Sequence, residues 1–341
     1  MPYSISLRAI NFDKVIPKEI QQLCFSIAND PDLELVSFSE IDLSVFNFKA
    51  AEPVLAAIKN NRKIQTVILS SSHFENAPIE CLDVLFAYLK FKKNFILSRN
   101  RLNELGAWFD FVKNLLGSKL ETLELFLNHI GHLDNDSIQN IFDVISKSNL
   151  QRLLLANNDI GSNNCIRILL SLFKGKMQYL DLSSNQLGCG TQSKEWIELF
   201  ATLQNNKSLK GLNLSNCGLN ILNLTDDDEE ENIFAIALLT FIKHTSLQEI
   251  DLSKNEFTKC FTIQLIKAAI RNNKNLTLKC EGNGLTKEEI CLLKQNKLQE
   301  MSHTDDAHNE RLSVMPPPLT FSMTIKGIEK RVDSLIASPH P

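Results

Sequence analysis

Apolar and polar positions along this chain recur in one short order. Leu150 to Asn158 reads LQRLLLANN, Met177 to Asn185 reads MQYLDLSSN, Leu209 to Cys217 reads LKGLNLSNC and Leu247 to Asn255 reads LQEIDLSKN. Positions one, four and six are apolar, and position nine is asparagine or cysteine. Fainter copies keep the phase: Leu33–Ile41, Ile64–Ser72, Lys92–Asn100, Leu120–Asn128 and Asn275–Asn283. Side chains two apart point to the same face of a strand, so Leu180 and Leu182 predict a short strand with a buried side. Position eleven is apolar from the second copy onward, from Phe74 to Leu285, and returns the chain to the core.

The spacing of the copies decides what lies between them. From one ninth position to the next the steps are 31, 28, 28, 30, 27, 32, 38 and 28 residues. A period near 28 holds a strand, a turn and a helix of about three turns. Helical faces are expected at Ile166, Leu169, Leu170 and Phe173, at Trp196, Leu199, Phe200 and Leu203, and at Ile263, Ile266 and Ile270, where Lys267 breaks the stripe.

The phrase resembles L-x-x-L-x-L-x-x-N/C-x-L of the leucine-rich repeats, and its period resembles their ribonuclease-inhibitor type. The resemblance covers roughly residues 33 to 298. It implies an α/β fold: a curved solenoid (horseshoe) of about nine repeats, with a parallel concave sheet and convex helices. Asn185 and its equivalents would satisfy backbone groups of the buried turn. Ser72 and Ile41 depart from that pattern, so the first two repeats should be less regular.

Ends and insertions complete the organisation. Residues 1–32 read as an N-terminal cap, with a strand near Ile5–Ile10 and a helix from Pro17 to about Ala28. Residues 33–299 are the repeats. The last helix begins near Thr286, which with Glu289 forms a capping-box pair. Residues 300–341 form a tail, partly disordered, with Pro316–Pro318 and a helical stripe over Ile325–Ile336. Two readings of that stripe stand: a helix folded back on the repeats, or a peptide read by a partner. The 38-residue step carries Asp226–Glu231, read either as a solvated run before a helix over Ile233–Lys243 or as a contact for a basic partner.

Composition narrows the function. The chain is 43% hydrophobic and 22% charged, and its formal net charge of −4 gives no reason to expect nucleic acid, whose binding proteins show basic patches. Its eight cysteines form no C-x-x-C pair, and Cys280 falls in a core slot. They read as free thiols in a reducing cytoplasm, against the alternative of a disulfide-bonded secreted protein. No secretory signal and no membrane span is legible.

No catalytic motif of the P-loop, zincin or nucleophile-elbow kind appears. His129 and His132 sit three apart on a turn, with Asp134 the nearby carboxylate. They read as exposed turn histidines, and neither a metal nor another cofactor is expected. The expected binding residues flank the buried strand leucines on the concave face: Glu124, Phe126, Arg152, Leu154, Tyr179, Asp181, Asn213, Glu249 and Asp251. Phe126, Arg152 and Tyr179 carry the side chains common in binding hot spots, and would form one patch on three neighbouring strands. A variable, solvated face is the competing reading.

The resemblance implies a monomeric, non-catalytic module holding a protein partner. The chain also resembles leucine-rich-repeat effectors that Legionella-type bacteria deliver into host cells by type IV secretion, in its degenerate repeats, its Asn/Lys-rich joints such as Asn205–Lys207, and its short tail. There the tail carries the translocation signal and the partner is a host protein. The alternative is a GTPase-activating protein of the Ran type, for which Arg99 and Arg101 are the one rim arginine pair.

Overall fold

The computed structural model describes residues 3–104, 119–161, 171–172, 175–188, 193–219, 229–273 and 275–302. The chain divides into two compact units, Met1–Leu187 with Ser208–Asn213, and Gly188–Lys207 with Leu214–Pro341.

In the first unit eight parallel strands pair in chain order: β1 (Tyr3–Ser6), β2 (Leu33–Ser37), β3 (Thr66–Ile68), β4 (Asn94–Ile96), β5 (Thr122–Glu124), β6 (Arg152–Leu154), β7 (Tyr179–Asp181) and β8 (Gly211–Asn213). Helices α1 (Pro17–Asn29), α2 (Phe48–Asn60), α3 (Ile79–Leu89) and α4 (Asn135–Lys147) connect them. The expected leucines are interior: Leu180 and Leu182 are both fully buried. The helices close the other side of the core, and the Phe86 ring of α3 lies 6.3 Å from that of Phe95 on β4. Buried position eleven opens a 3-10 turn at Phe74, Leu102 and Ile130.

The second unit holds α5 (Ser193–Asn205), α6 (Glu229–His244), β9 (Glu249–Asp251), α7 (Lys259–Asn272), β10 (Thr277–Lys279) and α8 (Lys287–Ser302), with β9 and β10 parallel. Trp196, Leu199, Phe200 and Leu203 form the buried face of α5 as expected. Trp196 and Phe200 meet Phe234 of α6 with ring centroids 5.5 and 5.9 Å away. In α7 the face is turned from the one read in the sequence. Ile266 is buried and Lys267 exposed, but Phe261, Leu265, Ala268 and Ala269 fill the core while Ile263 and Ile270 are half-buried. Thr262 is drawn inward because its hydroxyl donates to the Asn283 carbonyl at 2.7 Å. The Thr286–Glu289 capping box is present, the Thr286 N–H reaching Glu289 at 2.9 Å and the Glu289 N–H reaching the Thr286 hydroxyl at 3.1 Å.

The buried asparagines form a ladder. In the first unit the Asn128 N–H donates to the Asn158 side-chain oxygen at 2.9 Å, and the Asn158 N–H to that of Asn185 at 3.0 Å. Each amide nitrogen reaches back one repeat, Asn158 to the Leu125 carbonyl at 2.7 Å and Asn185 to that of Leu155 at 3.0 Å. In the second unit Asn255 serves the Cys217 N–H at 2.9 Å and is itself served by Asn283 at 2.8 Å. Ser72 departs from the phrase without breaking the geometry. Its hydroxyl takes over the backward bond, donating to the Phe38 carbonyl at 3.2 Å. The residues on either side of the asparagine are left-handed: Leu127 and His129, Asn157 and Asp159, Lys254 and Glu256, all with φ between 54° and 57°. Such backbone costs a non-glycine residue energy, which the buried amide bonds offset. Only around Asn283 do two glycines, Gly282 and Gly284, relieve it.

Other expectations are corrected in detail. The first strand runs over Tyr3–Ser6 rather than Ile5–Ile10, because the chain turns at Ala9, where φ is 52°. Helix α6 starts at Glu229, four residues before Ile233, so part of the acidic run is helical backbone. Asp226–Asp228, the expected face of Ile166, Leu169, Leu170 and Phe173, and the tail beyond Ser302 with its Ile325–Ile336 stripe lie outside the described residues. Six described cysteines are free thiols, of which Cys217 and Cys280 are buried and Cys260 and Cys291 exposed. Burial pushes the Cys280 thiol up to about 11.

Candidate interaction surface

Every three-residue strand buries its middle residue and turns the outer two away from the helices. Parallel register lines these up in two rows. One row runs Thr122, Arg152, Tyr179, Gly211, and the next runs Glu124, Leu154, Asp181, Asn213. The strands come from one repeated phrase, so the rows are a direct consequence of the repeat. Their chemistry is not, because positions three and five are free to vary.

Arg152 and Tyr179 are brought into contact. The guanidinium carbon lies 4.2 Å from the ring centroid, a stacked cation–π pair. On its other flank the ring lies across Gly211, where a Cβ would fall 2.5 Å from Tyr179 Cδ2. Glycine at that strand position is what lets the ring lie over its neighbour. Phe126 stands at position seven, four residues further along the strand than the position of Tyr179, or roughly 13 Å. Its cation is Arg99, 6.0 Å from the ring centroid. The three residues therefore make two aromatic–arginine pairs at opposite ends of the strands, with Leu154 and the acidic row between.

The carboxylates are held in place. Glu124 accepts from the Ser98 hydroxyl at 2.8 Å, and Asp181 accepts from the Ser183 N–H at 2.9 Å and its hydroxyl at 2.7 Å. Asn213 is half-buried at the end of its row. In the second unit Asp251 accepts from the Ser253 N–H at 2.9 Å, and Glu249 is paired with the Lys279 ammonium of the adjacent strand.

The turn histidines have a carboxylate that spacing along the chain did not indicate. His129 Nδ1 lies 2.6 Å from Asp159 Oδ2, and His132 Nε2 lies 3.8 Å from the same oxygen. Asp134 is occupied elsewhere, capping α4: it accepts from the Ser137 hydroxyl at 2.6 Å and the Ser137 N–H at 2.8 Å, and these bonds, the hydroxyl's first, hold its carboxyl below the usual range. Gly131 makes the approach possible, since a Cβ there would fall 2.1 Å from the Asp159 carbonyl oxygen. Among the described residues His129, His132 and Asp159 are the group whose ligand atoms could converge on a metal ion, lying within 4.8 Å of one another. Arg99 and Arg101 flank Asn100 in left-handed conformation, and the Arg99 guanidinium is engaged by Phe126.

No described protein family matches the sequence, and no curated protein does. Solved structures do. The leucine-rich-repeat-containing protein LegL7 from Legionella pneumophila is 19% identical over 99% of this chain and 92% of its own, with a TM-score of 0.59. The fold is that of the leucine-rich repeats. A chain of the yeast Rad7 and Elc1 complex matches over 80% of this chain and 75% of its own at 14% identity and a TM-score of 0.46. Human 5T4 matches 84% and 90% at 14% identity and 0.43. Among the described residues nine strands, β2 to β10, fall on copies of the repeat phrase, and β1 precedes them. Among the described residues no helix is long and apolar enough to cross a membrane.

Proposed function

We propose that this chain is a non-catalytic interaction module that holds a protein partner on the strand side of its repeats. The observation that carries the reading is the Arg152–Tyr179–Gly211 stack. A rigid aromatic with a cation already seated on it loses little freedom on docking, which is what a binding anchor requires. Phe126 with Arg99 is the second anchor. Leu154 supplies apolar area between them, and Glu124, Asp181 and Asn213 supply acceptors that favour a partner with donor groups opposite. Glu249 and Asp251 extend the acidic character to the second unit's own strands. Residues 1–32 act as the cap, 33–299 as the repeats, and 300–341 as a tail.

The test is capture from host-cell cytosol on immobilised full chain, compared with Phe126→Ala/Tyr179→Ala. Loss of two hot-spot aromatics should weaken capture by about 2 kcal/mol or more, with the circular dichroism spectrum unchanged. Undiminished capture would refute the strand-side site. The likeness to a Legionella protein supports a role as an effector delivered by type IV secretion to act on a host protein. Removing the residues after Ser302 should then abolish delivery and leave capture intact. Ran-type GTPase activation is the competing activity. It would require Arg99 or Arg101 to enter a partner's site, and stimulated GTP hydrolysis lost in Arg101→Ala would establish it in place of the non-catalytic reading.

A further inference from the structure

A pocket of 640 Å³ opens in the first unit where α2 ends and the chain enters β3, β4 and β5. Among the described residues its charged lining is Lys59, Arg62, Lys92, Lys93 and Lys119, with no carboxylate. Glu121 neutralises Lys93 at 2.7 Å. Among the described residues no acidic side chain lies within 4.0 Å of the charged group of the other four.

Lys92 is the unusual member. It occupies position one of the repeat phrase, which elsewhere in this unit is the buried Leu33, Ile64, Leu120, Leu150, Met177 and Leu209. A lysine thus stands in a leucine slot, with 2% of its surface exposed. Burial pulls its ammonium down to about 8. The Nζ donates to the Asn61 carbonyl at 2.9 Å, using one of three N–H groups. A local rule broken at a net cost in stability marks a place where function is to be sought. At the mouth, Lys59 Nζ stands 5.6 Å from the ring centroid of Phe91, which is 48% exposed. Arg62 and Lys119 are both exposed.

We propose that this pocket binds a phosphate-bearing anion, with Lys92 at its base and Lys59, Arg62 and Lys119 at its mouth. Four cations without carboxylates raise the local concentration of an anion, and the guanidinium fork of Arg62 matches phosphate oxygens. The volume exceeds what a lone phosphate needs and suits a small molecule carrying one.

The probe is inorganic pyrophosphate, titrated calorimetrically into the full chain at low salt. Saturable binding is expected, weakened about tenfold or more in Arg62→Gln/Lys119→Gln, which removes two charges near the anion. Lys18→Gln/Lys147→Gln, with the same change in net charge on exposed helix positions, should bind as the parent does. Lys92→Met should weaken binding without altering the circular dichroism spectrum. A second arm uses phosphatidylcholine vesicles containing phosphatidic acid. Co-sedimentation lost in the pocket variant would assign the phosphate to a lipid headgroup, whereas pyrophosphate binding without vesicle binding would assign it to a soluble molecule. No binding in either arm, or equal weakening by both double variants, would overturn the proposal and leave the lysines as caps on the helix ends.

Discussion

Replacing Asn158 by alanine is the sharpest probe of what holds the repeats in register. The side chain is fully buried and ties two repeats together. Its oxygen accepts the Asn128 N–H at 2.9 Å, and its nitrogen donates to the Leu125 carbonyl at 2.7 Å. Alanine removes both partners where water cannot replace them. Each buried backbone group left unsatisfied costs about 1–3 kcal/mol, so the expected loss is about 2–6 kcal/mol. Asn158→Ser should be milder. At Ser72 the hydroxyl keeps the backward bond to the preceding repeat, so serine should retain that bond and lose the acceptor. Urea melts followed by circular dichroism read both. An alanine variant within about 0.5 kcal/mol of the parent, the range of ordinary surface changes, would refute the ladder as a source of stability. A serine variant no better than alanine would refute the role assigned to the hydroxyl.

Other outcomes follow from the same geometry. Leu182→Ala opens a cavity in the core and should cost about 2–5 kcal/mol, while Ser183→Ala, half-buried on the opposite face, should cost about 0.5 kcal/mol or less; equal melts would refute the strand register. Gly211→Ala should displace the Tyr179 ring and weaken partner capture with little change in melting, and an unaltered capture would show that the stack is not an anchor. The lowered Lys92 value means the folded chain holds fewer protons than the unfolded one between about pH 8 and 10.5, so stability should rise across that window. Any melting-temperature advantage of Lys92→Met over the parent should therefore shrink as pH climbs from 8 to 10.5, and a constant difference would contradict a buried, charged lysine.

The repeat was legible because it is a backbone requirement written many times over. Leu180 and Leu182 must point inward on a period of two, α5 must bury Trp196 and Phe200 on a period near 3.6, and Thr286 must cap the helix it precedes. These are local rules, and the chain alone determined them. The face of α7 escaped because Thr262 finds its acceptor, the Asn283 carbonyl, twenty-one residues away. The surface escaped for the same reason on a larger scale. That Tyr179 lies over Gly211, that Arg152 rather than Phe126 is its neighbour, and that Asp159 rather than Asp134 meets His129 all depend on which repeats lie side by side in three dimensions. Lys92 was plain to see as a residue. Only its burial among stacked repeats, with Arg62 and Lys119 carried to it from other loops, turned it into a charged site.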